Sequence, residues 1–187
     1  MGGSVLEGCD SLEFDINGNL PQGIHRPDLI RFRQKFVDSF ADSTKRSELY
    51  KGYIILSKRC CDLLFVRSHW VDGSYLTAKK DPGDIDMSIH VDGASLDSYA
   101  MGGNGFLSNE ESIRNLKKSY GCDVYIIPVY PKDSPLYRIT EGWEDYWANW
   151  WGHTRDQKRK GYVEFDFTSE THRQNVGKEH SRLGEAE

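Results

Sequence analysis

The chain has 187 residues, 37% hydrophobic and 28% charged, which suits one folded core with ragged ends and argues against both two cores and a disordered chain. Lys and Arg number 24 against 29 Asp and Glu, a formal charge of −5 that disfavours nonspecific nucleic-acid binding and favours nucleotide or small-molecule chemistry. Met1 to Asp10 lacks an apolar run and no stretch approaches the roughly 18 apolar residues of a membrane span, so no membrane partner is expected and the location reads as cytoplasmic.

Residues 1–13 read as a flexible N-terminus, 14–167 as the domain and 168–187 as a polar, mobile tail. Phe14 to His25 is dense in turn formers and predicts an extended arm or hairpin. Pro27 opens a helix over about 28–40, with Leu29, Phe32, Phe36 and Phe40 as its inward stripe. Ser43 or Thr44 caps a second helix, whose apolar positions Leu49, Tyr53, Leu56, Cys60 and Leu63 carry it to about Leu64. From Val66 a strand runs into the Gly73 turn, and Asp84 to Val91 alternates as a second strand.

Residues 92–109 read as a loop with one short helical turn, Glu110 to Tyr120 as a helix, and Cys122 to Val129 as a strand that Pro128 assigns to a sheet edge. Trp143, Trp147 and Trp150 lie near helical spacing, as an aromatic stripe docking on the core. His153 to Gly161 is a basic turn and Tyr162 to Phe167 a final strand. The order predicts an α/β (α+β) domain with a mixed sheet of about four strands flanked by helices. Cys9, Cys60, Cys61 and Cys122 contain no Cys-x-x-Cys pair and read as reduced thiols, with Cys60 and Cys122 in the core.

The chemistry concentrates in Trp70 to Ile89. Gly73-Ser74 ends one strand, a loop of nine residues follows, and Asp84-Ile85-Asp86 opens the next. Residues i and i+2 of a strand share a face, so Asp84 and Asp86 converge. Paired carboxylates repel unless a hard divalent cation joins them, and Mg²⁺ or Mn²⁺ takes carboxylates together with substrate phosphates. Gly73 permits close approach of a bulky anion, while the Ser74 hydroxyl and nearby N–H groups can hold phosphates. Asp72 reads as a supporting acid or a solvated turn residue.

Gly73-Ser74 followed by Asp84-Ile85-Asp86 resembles the nucleotidyltransferase superfamily, which includes the polymerase β-like enzymes. The resemblance implies that Asp84 and Asp86 bind metal and that a third carboxylate comes from a neighbouring strand. Asp123 is the best match and Asp92 the weaker one. Asp123 would complete the site and help deprotonate an attacking hydroxyl. A narrower resemblance, carried by FDINGNLPQGIH, SFADSTKR, WVDGSYLT…PGDIDM and WWGHTRDQKRKGYVEF, is to small bacterial and phage proteins described only as nucleotidyltransferase-like, over residues 14–167.

If the chain is such an enzyme, it moves a nucleoside monophosphate from ATP or another nucleoside triphosphate to a hydroxyl of a protein, an RNA end or a small molecule, with Mg²⁺ or Mn²⁺. Arg155 and Lys160 are the preferred phosphate clamp. Lys79, Lys80 and Arg46 are further candidates, and His90 lies on the acid face of its strand. The alternative is a silent nucleotide-binding or protein-interaction component, as in a toxin–antitoxin or phage-defence system, with a protein partner or a homodimer completing the cleft.

Overall fold

The first helices form where the sequence caps them. In the computed structural model, which describes residues 12–103 and 105–184, α1 spans Leu29–Phe36 and the Asp28 carboxylate accepts from the Arg31 N–H at 2.8 Å. A 3-10 turn, Asp38–Phe40, follows. Ser43 then caps α2, Thr44–Cys61, which buries Leu49, Tyr53, Leu56 and Cys60. Of the expected flexible N-terminus, residues 1–11 lie outside the described residues.

Five strands form one mixed sheet: β1 (Gly23–His25), β2 (Val66–Asp72), β3 (Ile85–Asp92), β4 (Cys122–Val129) and β5 (Gly161–Asp166). Their order is β1-β5-β2-β3-β4, with β1 parallel to β5, β3 parallel to β4, and β2 antiparallel to both its neighbours. The strand containing Pro128 is an edge, as its missing N–H requires.

Each strand's alternation divides the sheet into two faces. Val71, Met87, Ile89 and Phe165 pack with Phe32, Phe36, Tyr53 and Leu56 in the main core. On the opposite face Ile127 and Tyr162 pack with Trp147 and Trp151 of α5, Tyr137–Trp151. The remaining helices are α3 (Gly93–Met101), α4 (Glu110–Tyr120) and α6 (Glu170–Gly184). Among the described residues no helix is long and apolar enough to cross a membrane. Cys60 and Cys122 are buried in the core, as expected.

Three elements depart from the sequence reading. The sheet has five strands rather than about four, because the turn-rich arm supplies β1 by pairing with β5 far along the chain. The expected loop after β3 contains α3, capped by the Asp92 carboxylate. The expected tail is helix α6, whose composition hides its packing: Val176 is buried, Leu183 packs against the core, His172 stacks on Phe165, and polar anchors add to these. Arg173 donates to the carbonyls of Phe167 and Cys61, while Glu179 accepts from Arg33, Arg182 and the Tyr50 hydroxyl.

Candidate metal centre

Strand β2 ends at Asp72, and Gly73 turns the chain at φ +79°, in the left-handed region that strains any residue with a side chain. A Cβ on Gly73 would lie 1.9 Å from Asp86 Oδ2. Glycine therefore both allows the turn and leaves room for the neighbouring carboxylate. The residues that follow make only a single 3-10 turn, Gly73–Leu76, with Ser74 at its start.

Pairing across the sheet assembles the acids. Asp86 is in register with Asp72 on β2 and with Asp123 on β4, so the three share one face. Asp84 stands just before β3. Asp84, Asp86 and Asp123 each bring a carboxylate oxygen within 4.8 Å of the other two. Asp92 does not join them; it accepts from the Ser95 N–H and hydroxyl and pairs with Arg67.

Burial, followed by the like charges of Asp84 and Asp123, raises the Asp86 carboxyl above its usual range, against the opposing pull of Lys117 and Lys160. Lys117, in the last turn of α4, bridges Asp84 at 2.7 Å and Asp123 at 2.6 Å. Its hydrogen bonds to these two acids hold its ammonium in the charged form. Beside the cluster, Lys160 Nζ donates to both oxygens of Asp72 at 2.6 and 2.7 Å. Burial lifts the Asp72 carboxyl to about 6 even with Lys160 against it.

The three-acid set offers only oxygen, is half-buried, and sits at the rim of an open groove of about 1120 Å³. Oxygen-only, multiply anionic sites suit hard divalent cations such as Mg²⁺ and Mn²⁺ rather than thiolate- or imidazole-seeking metals. The Lys117 ammonium pairs with two of the acids and offsets one of their negative charges.

A family model described as a family of unknown function, DUF6932, matches residues 12–166. The chain belongs to DUF6932. No curated protein and no solved structure matches it.

Around the acids of this DUF6932 chain, the structure sorts the expected cations. Gly73, Ser74, Lys79, Arg155 and Lys160 line the groove. Arg155 is exposed in the turn after α5, and among the described residues neither it nor Lys79 has an ion-pair partner. Lys160 is buried and committed to Asp72, so it is not a free phosphate clamp.

Arg46 does not reach the cleft. Its fully buried guanidinium donates to the carbonyls of Phe36, Tyr75, Thr77, Lys79 and Lys80, clamping the loop between the two motifs. Lys80 contributes a carbonyl to this clamp and its side chain stays outside the groove. His90 shares the acid face but is buried against the Trp70 ring at 4.2 Å and meets the Ser88 hydroxyl at 3.2 Å.

Sequence reasoning gives no role to Lys117 or Tyr125, though the aromatic segment 143–151 reads there as a possible surface for the acceptor. Tyr125 follows Asp123 by two residues on the same strand face, a relation legible once Asp123 is chosen. Trp143, Tyr146 and Trp150 point outward, and the docking pair of α5 is Trp147 and Trp151.

Proposed function

We propose that this DUF6932 chain is a metal-dependent nucleotidyltransferase, which transfers a nucleoside monophosphate from a nucleoside triphosphate, ATP by default, to a hydroxyl acceptor. The observation that carries this reading is the convergence of Asp84, Asp86 and Asp123 beside the Gly73 turn at one end of a mixed sheet. It extends the resemblance in the Gly-Ser and Asp-x-Asp motifs to a third carboxylate that is close in space.

Asp84, Asp86 and Asp123 would hold Mg²⁺ or Mn²⁺. A divalent ion bound there supplies charge neutralisation on the phosphates and lowers the pKa of a coordinated hydroxyl. Ser74 and the turn that Gly73 opens would receive the triphosphate, with Arg155 and Lys79 as the uncommitted cations of the groove. Lys117, released from Asp84 and Asp123 when a divalent ion takes those acids, would become a further cation of the groove. The Lys160–Asp72 pair fixes the strand end that precedes the turn.

In the reaction, the acceptor oxygen forms a bond to the α-phosphorus as the bond to the β-phosphate oxygen breaks, and pyrophosphate departs. The hydroxyl proton would pass to Asp123. Positioning and preorganised charge would provide most of the acceleration. The domain assigned to residues 14–167 would contain this whole site.

Purified protein would be incubated with each α-³²P nucleoside triphosphate, Mg²⁺ or Mn²⁺, and cell extract as a pool of acceptors. Nucleotide-specific labelling that disappears in Asp84→Ala/Asp86→Ala is expected. Equal labelling by the double variant would reject the assignment, and metal-dependent binding without any transfer would instead support a silent nucleotide-binding component.

A further inference from the structure

Part of the lining of the groove that holds the acids is aromatic. Tyr146 and Trp150 occupy successive turns of α5 with rings nearly parallel, 16° apart at 6.0 Å between centroids. They remain 49% and 58% exposed, and both line the groove that holds the acids. Tyr125, 40% exposed, lines the same groove two strand positions from Asp123 and packs against Trp147 at 4.7 Å. Large aromatic faces left in water together, beside charged groups that need a ligand, mark a binding surface rather than a random exposure.

We propose that Tyr146 and Trp150 form the shelf on which the base of the bound nucleotide stacks, an inference that rests on the nucleotidyltransferase reading. Stacking tolerates any base because every base has a π-face. Tyr125 is two strand residues from Asp123, about 7 Å along β4. Tyr125, Tyr146 and Trp150 line the same groove as the acids, so phosphate and base would occupy one continuous site. Asn149, on the same helix and lining the same groove, offers an amide to the edge of the stacked base.

The occupant is a single nucleotide rather than a strand. The cations lining the groove are Lys79, Lys117, Arg155 and Lys160, the last committed to Asp72, which suits one triphosphate. Among its described residues, α5 exposes Glu141 and Asp145 against Arg138, a net negative balance that disfavours a long phosphate backbone along it.

Calorimetry on the full chain with Mn²⁺ would compare the four nucleoside triphosphates with inorganic tripolyphosphate, in wild type and in Trp150→Ala and Tyr146→Ala. Both substitutions are at exposed positions, and circular dichroism would verify the fold. At least one nucleoside triphosphate should bind wild type about 5- to 150-fold more tightly than tripolyphosphate, the range expected of one stacked base. The variants should lose that advantage while their affinity for tripolyphosphate is unchanged.

Equal wild-type affinity for tripolyphosphate and every nucleotide would overturn the shelf and leave the metal–phosphate site standing, as would an advantage that survives in both variants. Tighter binding of a single-stranded oligonucleotide than of any mononucleotide would overturn it in favour of a strand. Failure of every triphosphate to bind would overturn the nucleotidyltransferase reading and the shelf together.

Discussion

Replacing Asp86 by Asn should stabilise the metal-free protein while abolishing its response to metal. The carboxylate oxygens of Asp84, Asp86 and Asp123 lie within 4.8 Å of one another. At that separation two like charges repel by roughly 0.9 to 3.5 kcal/mol, for effective dielectric constants between about 80 and 20. Asp86 takes part in two such pairs. Its attraction to Lys117 and Lys160 offsets part of the sum, but the direction of its pKa shows that the ionised form is disfavoured overall. Asn keeps the shape and removes the charge.

A net gain of about 1–2 kcal/mol is expected, which is a rise of about 2–8 °C in Tm for a chain of this size. Thermal unfolding would be followed with and without Mn²⁺. Wild type should gain Tm on adding Mn²⁺, and Asp86→Asn should start higher and gain nothing. A lower Tm for metal-free Asp86→Asn would refute the reasoning, because the carboxylate would then be supporting the fold.

Gly73→Ala adds a Cβ 1.9 Å from Asp86 Oδ2 at φ +79°, so it should cost at least about 1 kcal/mol of stability and more than tenfold in Mn²⁺ affinity, measured by denaturant unfolding and calorimetry. Arg46→Met deprives five backbone carbonyls of their donor and should destabilise by at least about 3 kcal/mol. Arg46→Lys should recover little of that loss, since one ammonium cannot match the guanidinium fork, and a cost below about 1 kcal/mol in denaturant unfolding would contradict the clamp.

Burial lowers His69 well below its ordinary value and brings His90 and His172 to about 4. The unfolded chain takes up these protons first, so the stability they contribute is complete above about pH 6.5 and falls as pH drops towards about 4. His69→Phe fills a site where neither imidazole nitrogen has a partner, between Tyr53 and Phe167. Its unfolding midpoint should fall less than that of wild type between pH 7 and pH 5; an equal fall would contradict this source of acid sensitivity.

The helices and strands with strong local periods were legible in the sequence: α4 and β4 lie where spacing and caps put them, and β2 and β3 differ by a residue at most. Elements made by long-range pairing were not. β1 is three residues in a turn-rich arm and exists through β5, and α6 is held by Val176, Leu183 and His172 at widely spaced positions together with charged anchors.

The candidate site divides in the same way. Asp84, Asp86 and Gly73 come from one local motif, while Asp123 was implied by the family resemblance and is set beside Asp86 by strand register. The partners of the basic residues were not readable. Lys117, Lys160 and Arg46 look alike as surface-type side chains, yet the first bridges two acids, the second is locked to Asp72 and the third is buried among carbonyls. Aromatic spacing in α5 showed a helix, but the exact angle that turns Trp150 outward and Trp151 inward is set by docking on the sheet.

The most direct test of the nucleotidyl-transfer assignment is a paired incubation with α-labelled and γ-labelled nucleoside triphosphate in the presence of Mn²⁺ and acceptor extract. The α label should pass to the acceptor while the γ label leaves as pyrophosphate, and Asp84→Asn, Asp86→Asn and Asp123→Asn should each suppress both. Transfer of the γ label to the acceptor would contradict the assignment and make the site a phosphotransferase.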